Sequence, residues 1–405
     1  MAKVLAYSIL LIVGMIFSQI LPRLTGGSAT AEHVLQVLTF TTLAFIMIHV
    51  GYEFDIDKRR KAQYGTDFAI AMTAASFPWL LVSAYFVLVM GPPGAATSWD
   101  QWRDELLVGC FAAPTSAGVL FSMLAAAGLS ATWLFKKARV LAIFDDIGTI
   151  LLLIPLKAMI VGMQWQLGAV VFIMVGLIVL AWVCLHRVRI PITWPWVVGY
   201  SIALVAASEG LAWTSHFFDE RGSVHIEVLL PAFVLGCIIA QPRRADGSID
   251  HTHHEPKGVE AKVATLISGF FLFLVGLSMP HLDKISGEPD ASGATPVQAA
   301  EAINWGMIAA HVLAVTFLSN LGKMFPVICY RKEATLKTRL ALSIGMWPRG
   351  EVGAGILVVA LSYHIGGATV LVAVISLALN LVLTGVFILM VKKLLAADTG
   401  TVRAA

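Results

Sequence analysis

Along this chain, apolar stretches of about 20 residues alternate with short segments that hold most of the charge. Read as spans, the stretches fall at roughly 4–21, 34–51, 68–90, 105–127, 138–156, 163–185, 195–213, 224–240, 263–280, 303–330, 340–362 and 368–391. That length suits an α-helix crossing a ~30 Å hydrocarbon core at 1.5 Å per residue. The runs lack the two-residue alternation of a membrane barrel strand, so the expected architecture is an all-α polytopic membrane protein with about twelve transmembrane helices. The first run follows Lys3, ends at Pro22-Arg23 and offers no small-residue cleavage site, so it reads as a span rather than a cleaved signal peptide.

Composition agrees. Of 405 residues, 58% are apolar and 13% charged, against about 25% charged in soluble domains. The four cysteines lie in or at the ends of apolar runs and read as small hydrophobes. No nucleic-acid signature is present. The placement of charge sets orientation. With the N-terminus inside, 21 of the 28 Lys and Arg residues fall on inside segments and five on outside loops, as the positive-inside rule requires. Residues 1–393 then form one transmembrane domain with 394–405 as a short cytoplasmic tail, both termini cytoplasmic. The expected membrane is a bacterial inner membrane, and lipid is the surrounding partner.

The other two basic residues, Lys323 and Arg349, lie within spans, as do Asp145, Asp146 and Glu351. Charges at that depth are costly and mark functional sites. Asp145 is eight residues beyond Lys137 and Lys323 eight before Arg331, so both sit ~12 Å from the cytoplasmic edge on antiparallel helices and are able to meet. Two spans read as interrupted: one at Ala113-Pro114-Thr115-Ser116-Ala117-Gly118, the other from Met346-Trp347-Pro348-Arg349-Gly350-Glu351 to Gly355. Broken spans in two oppositely oriented repeats point to a binding site at the membrane midplane. Spans 3–5 and 10–12 are the expected related units and the expected core.

Phe144-Asp145-Asp146-Ile147-Gly148 resembles the membrane-embedded acidic motif of the monovalent cation:proton antiporter superfamily, in the branch of bacterial sodium/proton exchangers and potassium-efflux systems. Val50-Gly51-Tyr52-Glu53-Phe54-Asp55, Pro231-Ala232-Phe233-Val234-Leu235-Gly236 and Phe273-Leu274-Val275-Gly276-Leu277-Ser278-Met279 are similar to other segments of that branch, in the same order. The resemblance implies inverted repeats with two crossed broken helices and a homodimer built on a scaffold part. It implies exchange of Na⁺, or K⁺ or Li⁺, for H⁺ without a cofactor. It assigns Asp146 to the cation or proton, Asp145 to the first acid of electrogenic members, and Lys323 to that acid's partner. Thr115 and Ser116 match the first unwound stretch, and Arg349 and Glu351 the charges of the second. The chain departs from many members in having Thr115-Ser116 where they carry an aspartate; the additional N-terminal helix of many members and the nucleotide-binding domain of some are not expected here.

The chemistry is competition at one carboxylate. Ionised Asp146 ligates a small hard cation together with hydroxyls and carbonyls of the break, and protonated Asp146 releases it. Neighbouring helix positions differ by ~100°, so Asp145 faces Lys323 while Asp146 faces the ion. Blander readings stand beside this one. The acids and Lys323 also fit a structural ion pair, Arg349 and Glu351 fit neutralised helix ends, and Asn320 fits a helix–helix contact. Glu209 fits an interfacial residue, and His251, His253 and His254 fit a solvated loop. A sodium-coupled symporter of an organic anion is the alternative activity, although adjacent acids repel an anion.

Overall fold

The computed structural model describes residues 2–25, 29–52, 61–161, 165–218, 228–240, 258–279, 305–363 and 365–402. The loop histidines, Glu53, Asp55 and the loops at 241–257 and 280–304 lie outside the described residues. The helices are α1 Ala2–Thr25, α2 Ala29–Tyr52, α3 Lys61–Tyr85, α4 Trp99–Gly109, α5 Ala117–Ala126, α6 Trp133–Val161, α7 Trp165–Cys184, α8 Trp194–Phe218, α9 Leu229–Ile238 and α10 Val259–Leu277. They continue with α11 Trp305–Gly322, α12 Pro326–Cys329, α13 Leu336–Gly345, α14 Glu351–Ser362 and α15 Ala368–Val402. Among the described residues the only extended pairing is one bridge between Val188 and Ile239.

Among the described residues, seven segments are long and apolar enough to cross a membrane, including α1, α10 and the greater part of α15. At 29 residues, α6 is long enough but carries Asp145, Asp146 and Lys157 within its last 18 residues. Burial is inverted relative to a soluble protein. Phe172, Leu266 and Trp213 are 69–80% exposed, while Asp145, Lys323 and Arg349 are fully buried. A chain that shows phenylalanine outward and hides its charges has hydrocarbon as its solvent.

Local chemistry explains where the interrupted spans start and stop. Ser98 caps α4 by accepting from the Gln101 amide, and Ser116 caps α5 by accepting from Val119. Thr335 accepts from the Thr338 amide at the start of α13. After α5 the chain passes through Gly128 at φ +77°, a left-handed turn natural to glycine. Pro326 opens α12 at a position where its missing N–H costs nothing.

The chain forms two compact units. One holds α2, α7, α8, α9 and residues 259–274 of α10. Within it α2 and α9 meet through glycine: a Cβ on Gly51 would collide with the Phe233 carbonyl, and one on Gly236 with the Ile48 carbonyl. Such close backbone approach is what small residues give helices in lipid. The other unit holds α1, residues 62–160 and residues 275–405, and therefore every candidate site residue.

Span positions in the sequence agree with the helices to within several residues at most ends. Two differences matter. The last span continues helical to Val402, through residues expected to be tail. The span expected at 303–330 is divided, since α11 ends at Gly322 and Lys323, Met324 and Phe325 form a turn before α12.

Candidate functional site

Two interrupted helices cross in the larger unit. The first runs from α4 through a tight turn at Cys110–Ala112, an extended stretch at 114–116, and into α5. The second runs from α13 through residues 346–350 into α14. Pro114 and Pro348 each lack an N–H, so neither can continue the helical hydrogen-bond ladder; Ala113 is still helical at φ −69°, ψ −56°, and the chain is extended by Ser116 at φ −69°, ψ 99°. The stretches then satisfy one another. The Ser116 amide donates to the Pro348 carbonyl at 3.0 Å, and the Thr115 hydroxyl to the Met346 carbonyl at 3.0 Å. At the contact, a Cβ on Gly350 would lie 2.8 Å from Ser116 Oγ and 3.0 Å from Ser116 Cβ. The missing side chain of Gly350 is the room that the Ser116 side chain occupies.

Each break exposes helix ends. The carbonyl ends carry partial negative charge and the amide ends partial positive charge. Arg349 answers the carbonyls. Its Nε donates to Ala112 O at 3.1 Å, Nη1 to Trp347 O at 2.6 Å and Nη2 to Ser319 O at 2.8 Å. One planar guanidinium thus caps the carbonyl ends of three helical segments, and it is fully buried. The side chain of Glu351, the first residue of α14, lies outside the described residues.

Asp145 answers the amides. Its Oδ2 accepts from the Thr115 backbone N–H at 2.8 Å. Lys323 Nζ donates to both oxygens, at 2.7 Å to Oδ1 and 2.6 Å to Oδ2. Thr149, one turn on, bonds the Asp145 carbonyl at 2.9 Å. Both partners of the ion pair are fully buried, which makes the geometry of the pair demanding. Lys323 sits in the turn after α11, so the ammonium comes from a third interruption. The sequence signals for that turn are Gly322 and Pro326.

Asp146 is 3% exposed. As the next residue on α6 it points about 100° away from Asp145. The structure therefore brings Asp145, Lys323, Thr115, Ser116 and Arg349 into one bonded assembly at the crossing, with Asp146 buried beside Asp145. Asn320, 8% exposed, is one turn before Lys323. Glu209 is half-buried and belongs to the other unit. No group of three or more His, Cys, Asp or Glu able to hold a metal ion occurs among the described residues.

Sequence reasoning missed a second charged cluster in this unit. Lys137, read as a membrane-edge residue, is 7% exposed and pairs with Asp67 and Glu333. Asp67 received no role, and its signal was present: an acid near the start of an apolar span.

Residues 3–394 match the model of the family described as sodium/hydrogen exchanger, transmembrane. No curated protein matches the chain.

Proposed function

The chain belongs to the sodium/hydrogen exchanger family, and from that premise we propose that it exchanges a monovalent cation, Na⁺ first among Na⁺, K⁺ and Li⁺, for protons by competition at Asp146. The observation that carries the reading is the placing of two adjacent buried acids at the crossing of two broken helices, with one of them, Asp145, bonded to a buried lysine. In the ionised state Asp146 supplies the charged oxygen for a dehydrated cation, and break hydroxyls and carbonyls complete its shell. In the protonated state that charge is gone and the ion leaves. If only the loaded forms reorient across the membrane, competition alone couples the two fluxes.

Asp145, Lys323 and the Thr115 amide hold the wall of this site. Cation entry beside Asp145 weakens its hold on Lys323, and loss of the lysine's proton gives a second proton per cycle and net charge movement. Thr115 and Ser116 serve the cation with their oxygens, while Arg349 and Glu351 set the helix ends. The assembly works as a homodimer in a bacterial inner membrane with both termini cytoplasmic, an orientation supported by the 21-to-5 division of basic residues.

The test is cation flux in proteoliposomes under an imposed pH gradient. Antiport predicts cation uptake driven by an opposite proton gradient with no organic substrate present. Uptake that requires an organic anion would replace this reading with symport, and absence of any flux from folded protein would end both.

A further inference from the structure

The Lys137 cluster ties together the same helices that carry the Asp145–Lys323 pair, one level away. Lys137 Nζ lies 3.2 Å from both oxygens of Asp67 on α3 and 3.0 Å from Glu333 Oε2 in the turn before α13. The Tyr330 hydroxyl, just after α12, donates to Asp67 Oδ1 at 2.7 Å. The ammonium also sits 4.5 Å from the centre of the Tyr330 ring, a favourable cation–π position. Lys137 and Asp145 are eight residues apart on α6, ~12 Å along one face. Lys323 and Tyr330 are seven residues apart in the opposite chain direction. The two ion pairs are therefore successive rungs between one pair of chain segments.

Helix α3 braces the same ladder. It lies antiparallel along α11 and its extension, with contacts in one register: the Tyr85 hydroxyl to His311 Nδ1 at 2.8 Å, Gly322 packed on the Pro78 backbone, and Phe77 on Phe325. Asp67, the inner end of that register, is where α3 reaches Lys137. Buried ion pairs add little net stability compared with apolar packing, and their best use is to specify geometry.

We propose that the Asp67–Lys137–Tyr330–Glu333 cluster is a positioning device for exchange, holding α6 and the Lys323 turn at fixed spacing so that the walls of the Asp146 site are already in place when the cation arrives. The proposal rests on the exchange reading above. The rung at Asp145 opens and closes with the ion, and the rung at Lys137 stays shut. None of its members touches the cation. Their effect is on how well the walls of the Asp146 site are preorganised.

The test is Na⁺-dependent exchange in proteoliposomes at one pH, with KM and kcat separated and Tm measured on the same samples. Tyr330→Phe removes one hydroxyl and keeps the ring, and Lys137→Met removes the charge. Both are expected to raise the KM for Na⁺ about tenfold, the scale of losses when groups behind a metal ligand are removed, with kcat within about twofold. Lys137→Arg keeps a cation between the two carboxylates and is expected to restore KM to within about threefold of wild type. Leu11→Ala, a buried cavity far along the chain, is the control that lowers Tm without moving KM. An unchanged KM in Tyr330→Phe and Lys137→Met, at any Tm, overturns the proposal. So does a KM in Lys137→Arg as high as in Lys137→Met. Should Lys137→Met not fold, the conservative Tyr330→Phe decides. Wild-type protein that carries no exchange defeats the parent reading instead, so the two failures are separable.

Discussion

Asp145→Asn is the sharpest perturbation of the site's framework. The substitution preserves shape and an acceptor for the Thr115 amide at 2.8 Å. It deletes the charge that Lys323 meets through contacts of 2.6 and 2.7 Å. The lysine is fully buried, so its ammonium is left without its carboxylate in a low-dielectric site. Removing one partner of such a pair costs about 3–5 kcal/mol. At about 2–4 °C per kcal/mol for a unit of a few hundred residues or fewer, Tm falls by on the order of 10 °C. The Asp145→Asn/Lys323→Met pair of substitutions leaves no orphan charge and is expected to recover at least half of that loss. The assay is thermal unfolding of purified protein in detergent, followed by scattering-corrected fluorescence, for wild type, both single variants and the double variant. A single variant as stable as wild type would refute the reasoning, as would a double variant whose loss equals the sum of the singles. Either result would mean that the pair is not energetically coupled.

Arg349→Lys replaces three directed bonds by one point charge. At about 1.5–3 kcal/mol for each bond from a charged donor, losing two should lower stability by about 3–6 kcal/mol, read as a drop in Tm. Gly350→Ala places a methyl 2.8 Å from Ser116 Oγ, so the Ser116 hydroxyl must turn from the Val119 amide that it caps or the crossing must spread. Exchange is expected to fall at least tenfold while the protein still inserts and elutes as a single species. Charge movement is read on a solid-supported membrane after a sodium jump at symmetric pH. Each elementary charge through 100 mV is worth about 2.3 kcal/mol, so electrogenic exchange predicts a transient current that Asp145→Asn/Lys323→Met abolishes, and robust flux without current would leave electroneutral exchange.

Much of this arrangement was legible in the sequence because membranes punish irregularity. Single prolines such as Pro78 and Pro155 sit inside continuous helices, but clusters of proline and glycine with hydroxyls or opposite charges, as at 113–118 and 346–355, mark breaks, and both breaks lie there. Equal depth of Asp145 and Lys323 followed from rise per residue, and the two form a pair. The turn holding Lys323 was harder, since Gly322 and Pro326 are each tolerated in continuous membrane helices. Gly322 is explained only by a neighbour, the Pro78 backbone of α3. Lys137 was read only as a marker of the membrane edge, because a lysine at the end of an apolar run normally reaches the interface. Here Asp67 and Glu333, 70 and 196 positions away in sequence, receive it instead, and no local pattern encodes partners so distant. Arg349 was undecided for the same reason: its three acceptors come from three separate segments.

The central claim is that proton and cation contest one carboxylate, Asp146. It is tested most directly by the KM for Na⁺ measured across a pH series in proteoliposomes, with Asp146→Asn alongside. Competition at one protonatable site predicts a KM that climbs with proton concentration, approaching about tenfold per pH unit in the acid range, at constant maximal rate. Asp146→Asn should fold and show no coupled exchange. A KM independent of pH, or wild-type exchange by Asp146→Asn, would contradict the account.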